Sequence, residues 1–106
     1  MAPMIKHIVM WTFADEALGR TKAENLAVVV DGLRACAGVV DGMGAFEVSP
    51  AQDGLEASYD LCLHSEFADA AALAAYAAHP THRAVAEVIG QVRTARVAFD
   101  YDTERL

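Results

Sequence analysis

The sequence predicts a single α+β domain whose elements follow the order β-α-β-β-α-β and form one four-stranded antiparallel sheet. Apolar residues alternate with a period of two in short segments, which is typical of strands. They recur at helical spacing in two longer segments, and Pro80 interrupts the second of these. The 106 residues are enough for one domain, residues 1–106, with one core.

The first half of the chain predicts a strand, a helix and a second strand. Residues 4–13 are rich in β-branched and aromatic side chains, and both faces of this strand are largely apolar. Thr21 and Glu24 have the spacing of a capping box, so a helix is expected to begin there and to end at Gly38. The second strand falls between the turn-forming segments VDGMG and SPAQDG.

The second half of the chain predicts a strand, a helix broken in two, and a last strand. Residues 59–67 alternate between apolar and polar side chains. Asp69 is expected to cap the next helix and Pro80 to end it, because the residue before a proline is pushed out of the α region. Thr81 is expected to cap the continuing helix, and residues 97–101 alternate as the final strand. This order is the split βαβ, or ferredoxin-like, arrangement, with helices on one face of the sheet.

The open face of that sheet predicts a homodimer. Because the first strand is apolar on both sides, the face without helices would expose an apolar patch to water. Such a patch on a small protein usually marks an interface. We therefore expect two copies to pack sheet to sheet about a two-fold axis, which makes a dimeric α/β barrel.

The charge and the apolar runs argue against several classes of partner. The chain has a net charge of −7 and its basic residues are scattered, so neither nucleic acid nor an anionic membrane is an expected partner. The longest apolar run, AAALAAYAA, is shorter than the roughly 18 residues that a membrane span needs, and IVMW is too short for the core of a signal peptide. We expect a cytoplasmic protein in which Cys36 and Cys62 stay free thiols, since they lack CxxC spacing.

The segment AAYAAHPTHRAV, residues 75–86, contains the side chains best suited to acid–base chemistry. His79 lies at the end of one helix, where free carbonyls favour imidazolium, and His82 lies in the first turn of the next, where free N–H groups disfavour it. His82 is therefore expected to be neutral and suited to act as a general base. Tyr76 projects from the same side of its helix as His79, and a phenol can donate a hydrogen bond to a developing enolate oxygen.

The same residues also have purely structural interpretations. The HPTH segment can be a helix break alone, Tyr76 a core residue with its hydroxyl at the surface, and His7 a histidine satisfied in the core or an interface. His79 and His82 have the spacing of a metal-ligand pair. Pro80 prevents a continuous helix, however, and no third ligand is near in sequence, so no metal site is expected.

Three segments of the chain resemble the stress-responsive dimeric α/β-barrel (Dabb) domain. They are MIKHIVMWTFADE, YDLCLHSEFADAAALAAYAAHPTHRAV and VAFDY, and they occur in the family's order over nearly the whole chain. The family includes stress-induced proteins of unknown biochemical role and plant polyketide cyclases of the olivetolic acid cyclase type, which close an aldol ring without metal or cofactor. The resemblance implies a ferredoxin-like dimer with a pocket between sheet and helices in each subunit.

The resemblance also implies a set of site residues. The catalytic tyrosine and second histidine of the cyclases match Tyr76 and His82, which implies that His82 removes a proton next to a carbonyl while Tyr76 holds the oxygen. The residues expected to contact a ligand are His7, Val9, Trp11, His79 and Asp100. If Asp100 accepts a hydrogen bond from a histidine, it fixes the tautomer of that ring.

The chain departs from the cyclases at several pocket positions. Asp60 stands where they have a histidine on the third strand, and small aliphatic residues such as Ala27, Val28 and Val29 stand where their first long helix has bulky aromatics. Trp11 is larger than the aliphatic residue expected at its place. These differences predict a pocket of different shape, so a tetraketide substrate with an alkyl tail does not follow.

Two functions from different classes fit the sequence, and a third fits less well. The first is a homodimeric stress-type protein of uncertain biochemical role that binds a small, mostly apolar or aromatic molecule. The second is a cofactor-independent cyclase or lyase that uses His82 and Tyr76. The third, a cofactor-free monooxygenase, rests on analogy of fold alone. No cofactor is expected in any of them, and the enzyme hypothesis requires both side chains to open into one pocket.

Overall fold

The computed structural model describes residues 2–106, and its elements follow the predicted order with one small hairpin added. The strands and helices are β1 (Ile5–Phe13), β2 (Glu16–Ala17), β3 (Arg20–Thr21), α1 (Lys22–Arg34), β4 (Met43–Pro50), β5 (Leu61–Phe67), α2 (Ala70–Ala78), α3 (Pro80–Val92) and β6 (Arg93–Asp102), followed by a 3-10 turn at Thr103–Arg105.

The main sheet has the strand order β4-β5-β1-β6, and every neighbouring pair is antiparallel. β1 therefore lies inside the sheet between β5 and β6, which explains why both of its faces are largely apolar. Val9 of β1 is paired with Leu63 on one side and with Ala98 on the other. Residues directly opposite one another share a face, so this register decides which side chains of β6 face the helices. The predicted ferredoxin-like topology is confirmed.

The three helices cover one face of the sheet and enclose an aliphatic core. Alternate residues of β1 and β5 are buried against buried positions of α1 and α3, and this layer removes most of the apolar surface from water. The contact between α1 and α3 is close at Gly32, where an added Cβ would lie 2.7 Å from Cγ2 of Val85. The absence of a side chain at Gly32 thus permits the two helices to approach.

The first half of the chain matches the prediction except at the ends of its elements. Thr21 and Glu24 form the predicted capping box at the start of α1. The helix ends at Arg34 and not at Gly38, because residues 35–38 continue as turns in which Gly38 takes the left-handed conformation. The β2-β3 hairpin was not predicted, since strands of two residues have no readable period.

In the second half, the predicted third strand begins two residues late, at Leu61. Residues 58–60 form a bend in which the Asp60 carboxylate accepts a hydrogen bond from the Phe13 backbone N–H at 2.8 Å. The last strand, in contrast, begins at Arg93, directly after α3 and earlier than the alternation from residue 97 suggests.

The break between α2 and α3 differs from the prediction in its capping residue. Asp69 caps α2 as predicted, accepting from the Ala72 N–H at 2.8 Å. Thr81, however, is not the cap of α3, so that prediction is wrong. Nδ1 of His79 accepts the Thr81 N–H at 3.1 Å, and Pro80 is the first residue of the helix, a position that suits its fixed φ angle and missing N–H.

The face of the sheet without helices exposes apolar side chains. Phe99 is 69% exposed, and Val97 on the same face of β6 is also exposed. Ile8 and Met10 of β1 are their cross-strand partners and are half-buried. This is the surface that the sequence predicted for dimer formation. Within residues 2–106, no helix is long and apolar enough to cross a membrane.

Candidate functional site

A cavity of about 220 Å³ lies between the helices and the strands β1, β5 and β6. Five residues predicted for the site line it together: His7, Val9, Trp11, Tyr76 and His82. The first three alternate along β1 and therefore share the helix-facing side of the sheet. Tyr76 comes from α2 and His82 from the first turn of α3, so the helix break brings two helices to one end of the cavity.

The imidazole of His82 is held in one tautomer. Its Nδ1 lies 3.0 Å from the carbonyl oxygen of Ala77, and because a carbonyl only accepts, Nδ1 carries the proton. In the neutral ring, Nε2 is then an acceptor with a free lone pair. Burial lowers the pKa of His82, positive charge on His7 and on Arg96 lowers it further, and the hydrogen bond to Ala77 opposes these effects. The neutral state agrees with the sequence prediction, but burial is its main cause and the helix terminus is not.

Tyr76 is the largest fully buried side chain, with 1% of its surface exposed. Its ring centroid lies 4.6 Å from that of His82 and 5.1 Å from that of Phe67. Within residues 2–106, its hydroxyl has no hydrogen-bond partner. Burial, and to a lesser extent the nearby Cys36, raise the pKa of Tyr76 above its usual range, so the phenol keeps its proton and is available as a donor.

His7 lies on the other side of Tyr76 and is paired with Asp100. Its ring centroid is 6.4 Å from that of Tyr76, and its Nδ1 lies 2.5 Å from an Asp100 carboxylate oxygen. A carboxylate only accepts, so Nδ1 of His7 carries a proton and donates it to Asp100, which fixes the orientation of the ring. Asp100 sits opposite His7 in the β1-β6 register, so strand pairing brings the two together.

Two of the expected ligand contacts lie outside the lining of this cavity. Asp100 reaches it only through His7, and its own side chain is 46% exposed. His79 uses Nδ1 to cap α3, so its ring serves the helix break. The two histidines of the HPTH segment therefore have different roles. His79 caps the helix, and His82 faces the cavity.

Sequence reasoning missed two charged residues of the cavity. Arg93 and Arg96 of β6 both line it, together with apolar residues of α1, α3 and β5. In sequence these arginines look scattered. Pairing in the sheet is the signal that locates them: Arg96 lies opposite Trp11 and Arg93 opposite Phe13, both on the helix-facing side of β1.

A second concavity of about 430 Å³ lies on the open face, where the segment 49–59 covers Met10 and Cys62. None of the chain's four histidines, all of them within residues 2–106, lines it. Burial raises the pKa of the Cys62 thiol, with a smaller contribution from Glu47, so this thiol stays protonated and weakly nucleophilic. The smaller cavity is therefore the one with residues suited to chemistry.

Comparison with protein families shows which family the chain belongs to. The model of the family described as Stress responsive A/B Barrel Domain (Dabb) matches residues 5–103. The chain belongs to this family. The match covers every element from β1 to β6, so the cavity and both faces of the sheet lie within the Dabb domain. The search of curated proteins found no match.

Solved structures similar to this Dabb domain share its fold. A dimeric ferredoxin-like protein of unknown function from a Jannaschia species is 27% identical, with 92% of this chain and 97% of that chain covered and a TM-score of 0.70. A Dabb family protein with a ferredoxin-like fold from Mesorhizobium loti is 25% identical, with 93% and 95% covered and a TM-score of 0.68. A dimeric ferredoxin-like protein of unknown function from Thermobifida fusca is 19% identical, with 95% and 92% covered and a TM-score of 0.81; this likeness shows the fold alone.

Proposed function

We propose that this Dabb protein is a homodimer that binds a small, mostly apolar molecule in the cavity between its sheet and its helices. The observation that carries the proposal is the unpartnered Tyr76 hydroxyl, which is buried in the wall of the cavity. A buried donor without a partner costs free energy, and a ligand oxygen offsets that cost. Nε2 of His82 adds an acceptor, the ring of His7 adds a further polar group, and the rest of the wall is mostly aliphatic and aromatic.

The size of the cavity limits the ligand. A cavity of about 150 Å³ accommodates benzene, and this one has about 220 Å³. A single ring with one or two short substituents, or a branched chain of similar volume, fits it. Such a molecule would contact the indole of Trp11, the only tryptophan of the chain, which makes its fluorescence a direct reporter of binding.

The homodimer is supported by the exposed apolar side chains of the open face. Phe99, Val97 and their half-buried partners on β1 form a continuous patch with no helix over it. The Jannaschia and Thermobifida structures are both described as dimeric. Packing the same patch of two copies together gives a closed, isologous interface and removes the apolar surface from water.

A second candidate function is a cofactor-independent cyclase or lyase, and the contact of His82 with Tyr76 favours it. Nε2 of neutral His82 is free to take a proton from a carbon next to a carbonyl. The ring of Tyr76 lies 4.6 Å from that of His82 between centroids, and its hydroxyl, which has no partner within residues 2–106, is free to donate to the oxygen on which negative charge develops. The resulting enolate then forms a bond to a second carbonyl carbon of the substrate, and the proton on His82 returns to the new alkoxide.

Ligand titration of a cavity-filling variant tests the binding function. Gly90 lines the cavity, and an added Cβ there meets nothing within 4 Å, so the side chain of Gly90→Leu starts in open space and takes up volume at the cavity. Aromatic acids and β-polyketones are titrated while Trp11 emission is followed. We expect binding by the natural chain and by Ala84→Leu, which introduces the same side chain at an exposed position of α3, and no binding by Gly90→Leu. Equal binding by both variants would contradict the assignment of the cavity.

Turnover assays distinguish the second candidate from simple binding. Ligands that bind are incubated with the natural chain, with His82→Ala and with Tyr76→Phe, and products are followed by mass spectrometry. Loss of product in both variants, with the ligand still bound, supports catalysis by this pair. Unchanged turnover in both variants excludes the mechanism.

A further inference from the structure

Two arginines lie at the mouth of the cavity without a partner of opposite charge. Arg93 and Arg96 both line it, and within residues 2–106 neither side chain makes an ion pair or a hydrogen bond. The chain has 15 acidic residues against 8 basic ones, so carboxylates are abundant. The acid nearest along the same face of β6, Asp100, is already paired with His7.

The two arginines lie at different distances from His82. Arg93 caps the end of α3 with its backbone, and about 16 Å of helix separates it from His82 at a rise of about 1.5 Å per residue. Arg96 lies farther along β6, opposite Trp11, and its charge is close enough to lower the pKa of His82. Tyr76, His82 and Arg96 line the same cavity as Trp11, so a molecule held against the indole has both the tyrosine–histidine pair and the Arg96 charge in the wall around it.

We propose that the ligand is a small apolar carboxylate whose acid group binds Arg96 and Arg93 while its other end, bearing a carbonyl or hydroxyl oxygen, meets Tyr76 and His82. This inference rests on the proposed binding function and names the class of ligand. A guanidinium presents paired N–H donors that match the two oxygens of a carboxylate. The Tyr76 hydroxyl and Nε2 of His82 offer a neutral donor and a neutral acceptor, which suit the uncharged oxygen and not the acid group.

The cavity has positively charged hydrogen-bond donors, which an anion requires, at one end only. Moving a carboxylate out of water is costly unless it is paired and hydrogen-bonded. Arg93 and Arg96 are both exposed, so the acid group binds at the mouth, where it stays partly hydrated. The apolar body lies deeper, against Val9, Leu33 and Leu63. This arrangement fixes the orientation of the ligand, with the acid outward.

The test compares ligands that differ only in charge. Benzoate, benzamide and phenylphosphonate are titrated at one pH and two salt concentrations, with Trp11 emission excited at the red edge of its absorption. Benzoate and benzamide share shape and size, so their difference in affinity measures recognition of the charge. We expect benzoate to bind about tenfold more tightly than benzamide, as charge-assisted hydrogen bonds require, and only the binding of the anions to weaken with added salt.

Variants assign the effect to the two arginines. In Arg96→Gln and Arg93→Gln, benzoate is expected to lose its advantage while the affinity for benzamide stays unchanged. The matched control is Arg83→Gln, which removes an equally exposed charge from α3 outside the cavity lining. As a second readout, benzoate should raise the pKa of His82 in an NMR titration by offsetting the charge of Arg96, and benzamide should not.

Each outcome decides between the two proposals. If benzamide and benzoate bind equally well, or if Arg96→Gln weakens both alike, the carboxylate assignment is overturned while binding in the cavity stands. An effect of Arg83→Gln as large as that of Arg96→Gln would also overturn it, because the charge would then act nonspecifically. Tighter binding of phenylphosphonate than of benzoate would replace the carboxylate with a phosphoryl group. If no compound changes Trp11 emission, the proposed binding function fails as well.

Discussion

The rings of Tyr76 and His82 lie 4.6 Å apart between centroids. They carry complementary groups, a phenol that keeps its proton and an imidazole nitrogen that lacks one. Burial is the leading cause of both states, because it raises the pKa of Tyr76 and lowers that of His82. A low-polarity wall therefore prepares a donor and an acceptor side by side without a charge on either. A neutral hydroxyl group matches both, because it accepts from the phenol and donates to the imidazole nitrogen, whereas a carbonyl oxygen accepts from the phenol alone.

Replacing Tyr76 by phenylalanine should separate function from stability. The buried hydroxyl has no partner within the described residues, so its removal relieves an unsatisfied donor. We expect Tyr76→Phe to raise the free energy of unfolding by about 1 kcal/mol, at the low end of the cost of an unsatisfied buried group. Ligands that accept a hydrogen bond should bind more weakly to the same variant. Urea denaturation and Trp11 titration measure the two effects.

A control replacement shows whether the ring or the hydroxyl matters. Phe67→Leu removes aromatic volume from a fully buried ring that packs 5.1 Å from Tyr76 and lacks a polar group. It should lower the free energy of unfolding through lost packing. If Tyr76→Phe destabilises the protein as Phe67→Leu does, the hydroxyl has a partner in solution and the ligand argument loses its basis.

The lowered pKa of His82 predicts how stability varies with pH. In the unfolded chain a histidine titrates near 6.5, whereas the folded protein holds the pKa of His82 below its usual value. The unfolded state thus binds its proton first as the pH falls. The stability contributed by neutral His82 is complete above about pH 6.5 and is lost as the pH falls from there through the lowered folded pKa.

Denaturation at pH 8 and at pH 5 checks this dependence. His82→Gln cannot titrate, so its loss of stability between the two pH values should be smaller than that of the natural chain. His64→Gln removes a histidine from the open face and is the matched control. An identical pH dependence in the natural chain and His82→Gln would show that the ring is not shielded from water in solution.

Local signals in the sequence were sufficient for most of the fold. Thr21 with Glu24 and Asp69 cap their helices as predicted, because a cap depends only on residues within one turn. Thr81 failed as a cap because the histidine ring of His79 takes the role that usually belongs to Ser, Thr, Asp or Asn. Capping propensities rank single residue types, and they do not consider a histidine ring that stands directly before a proline.

The same distinction between local and long-range signals applies to the residues of the candidate site. Tyr76 and His82 lie six positions apart, so the helix break alone brings them together, and the sequence indicated them directly. Arg93 and Arg96 were missed because their place depends on the pairing of β6 with β1, which joins them to residues 80 and 85 positions earlier in the chain. Which face an exposed arginine occupies follows from strand register, and register is fixed by the whole sheet.

Gly32 and Gly90 should respond in opposite ways to the same substitution. Both lie inside helices, where alanine is favoured over glycine by about 0.5–1 kcal/mol. Gly90→Ala has free space for its methyl group and should gain this amount. Gly32→Ala would place its Cβ 2.7 Å from Cγ2 of Val85, so we expect it to lose about 1–3 kcal/mol through overpacking. Adding Val85→Ala to Gly32→Ala should cost less than the sum of the two changes, and strict additivity would show that α1 and α3 are not in contact there.

The open face of the sheet should set the oligomeric state. Phe99 is 69% exposed, so Phe99→Glu leaves the interior of the subunit intact while adding a charge to the apolar patch. We expect the natural chain to sediment as a dimer of 11.3 kDa subunits and Phe99→Glu to sediment as a monomer. Val28→Glu changes an exposed apolar residue on α1, away from this face, and should remain dimeric. If Phe99→Glu stays dimeric while Val28→Glu dissociates, the copies associate through their helices, and the apolar patch around Phe99 is then open to solvent.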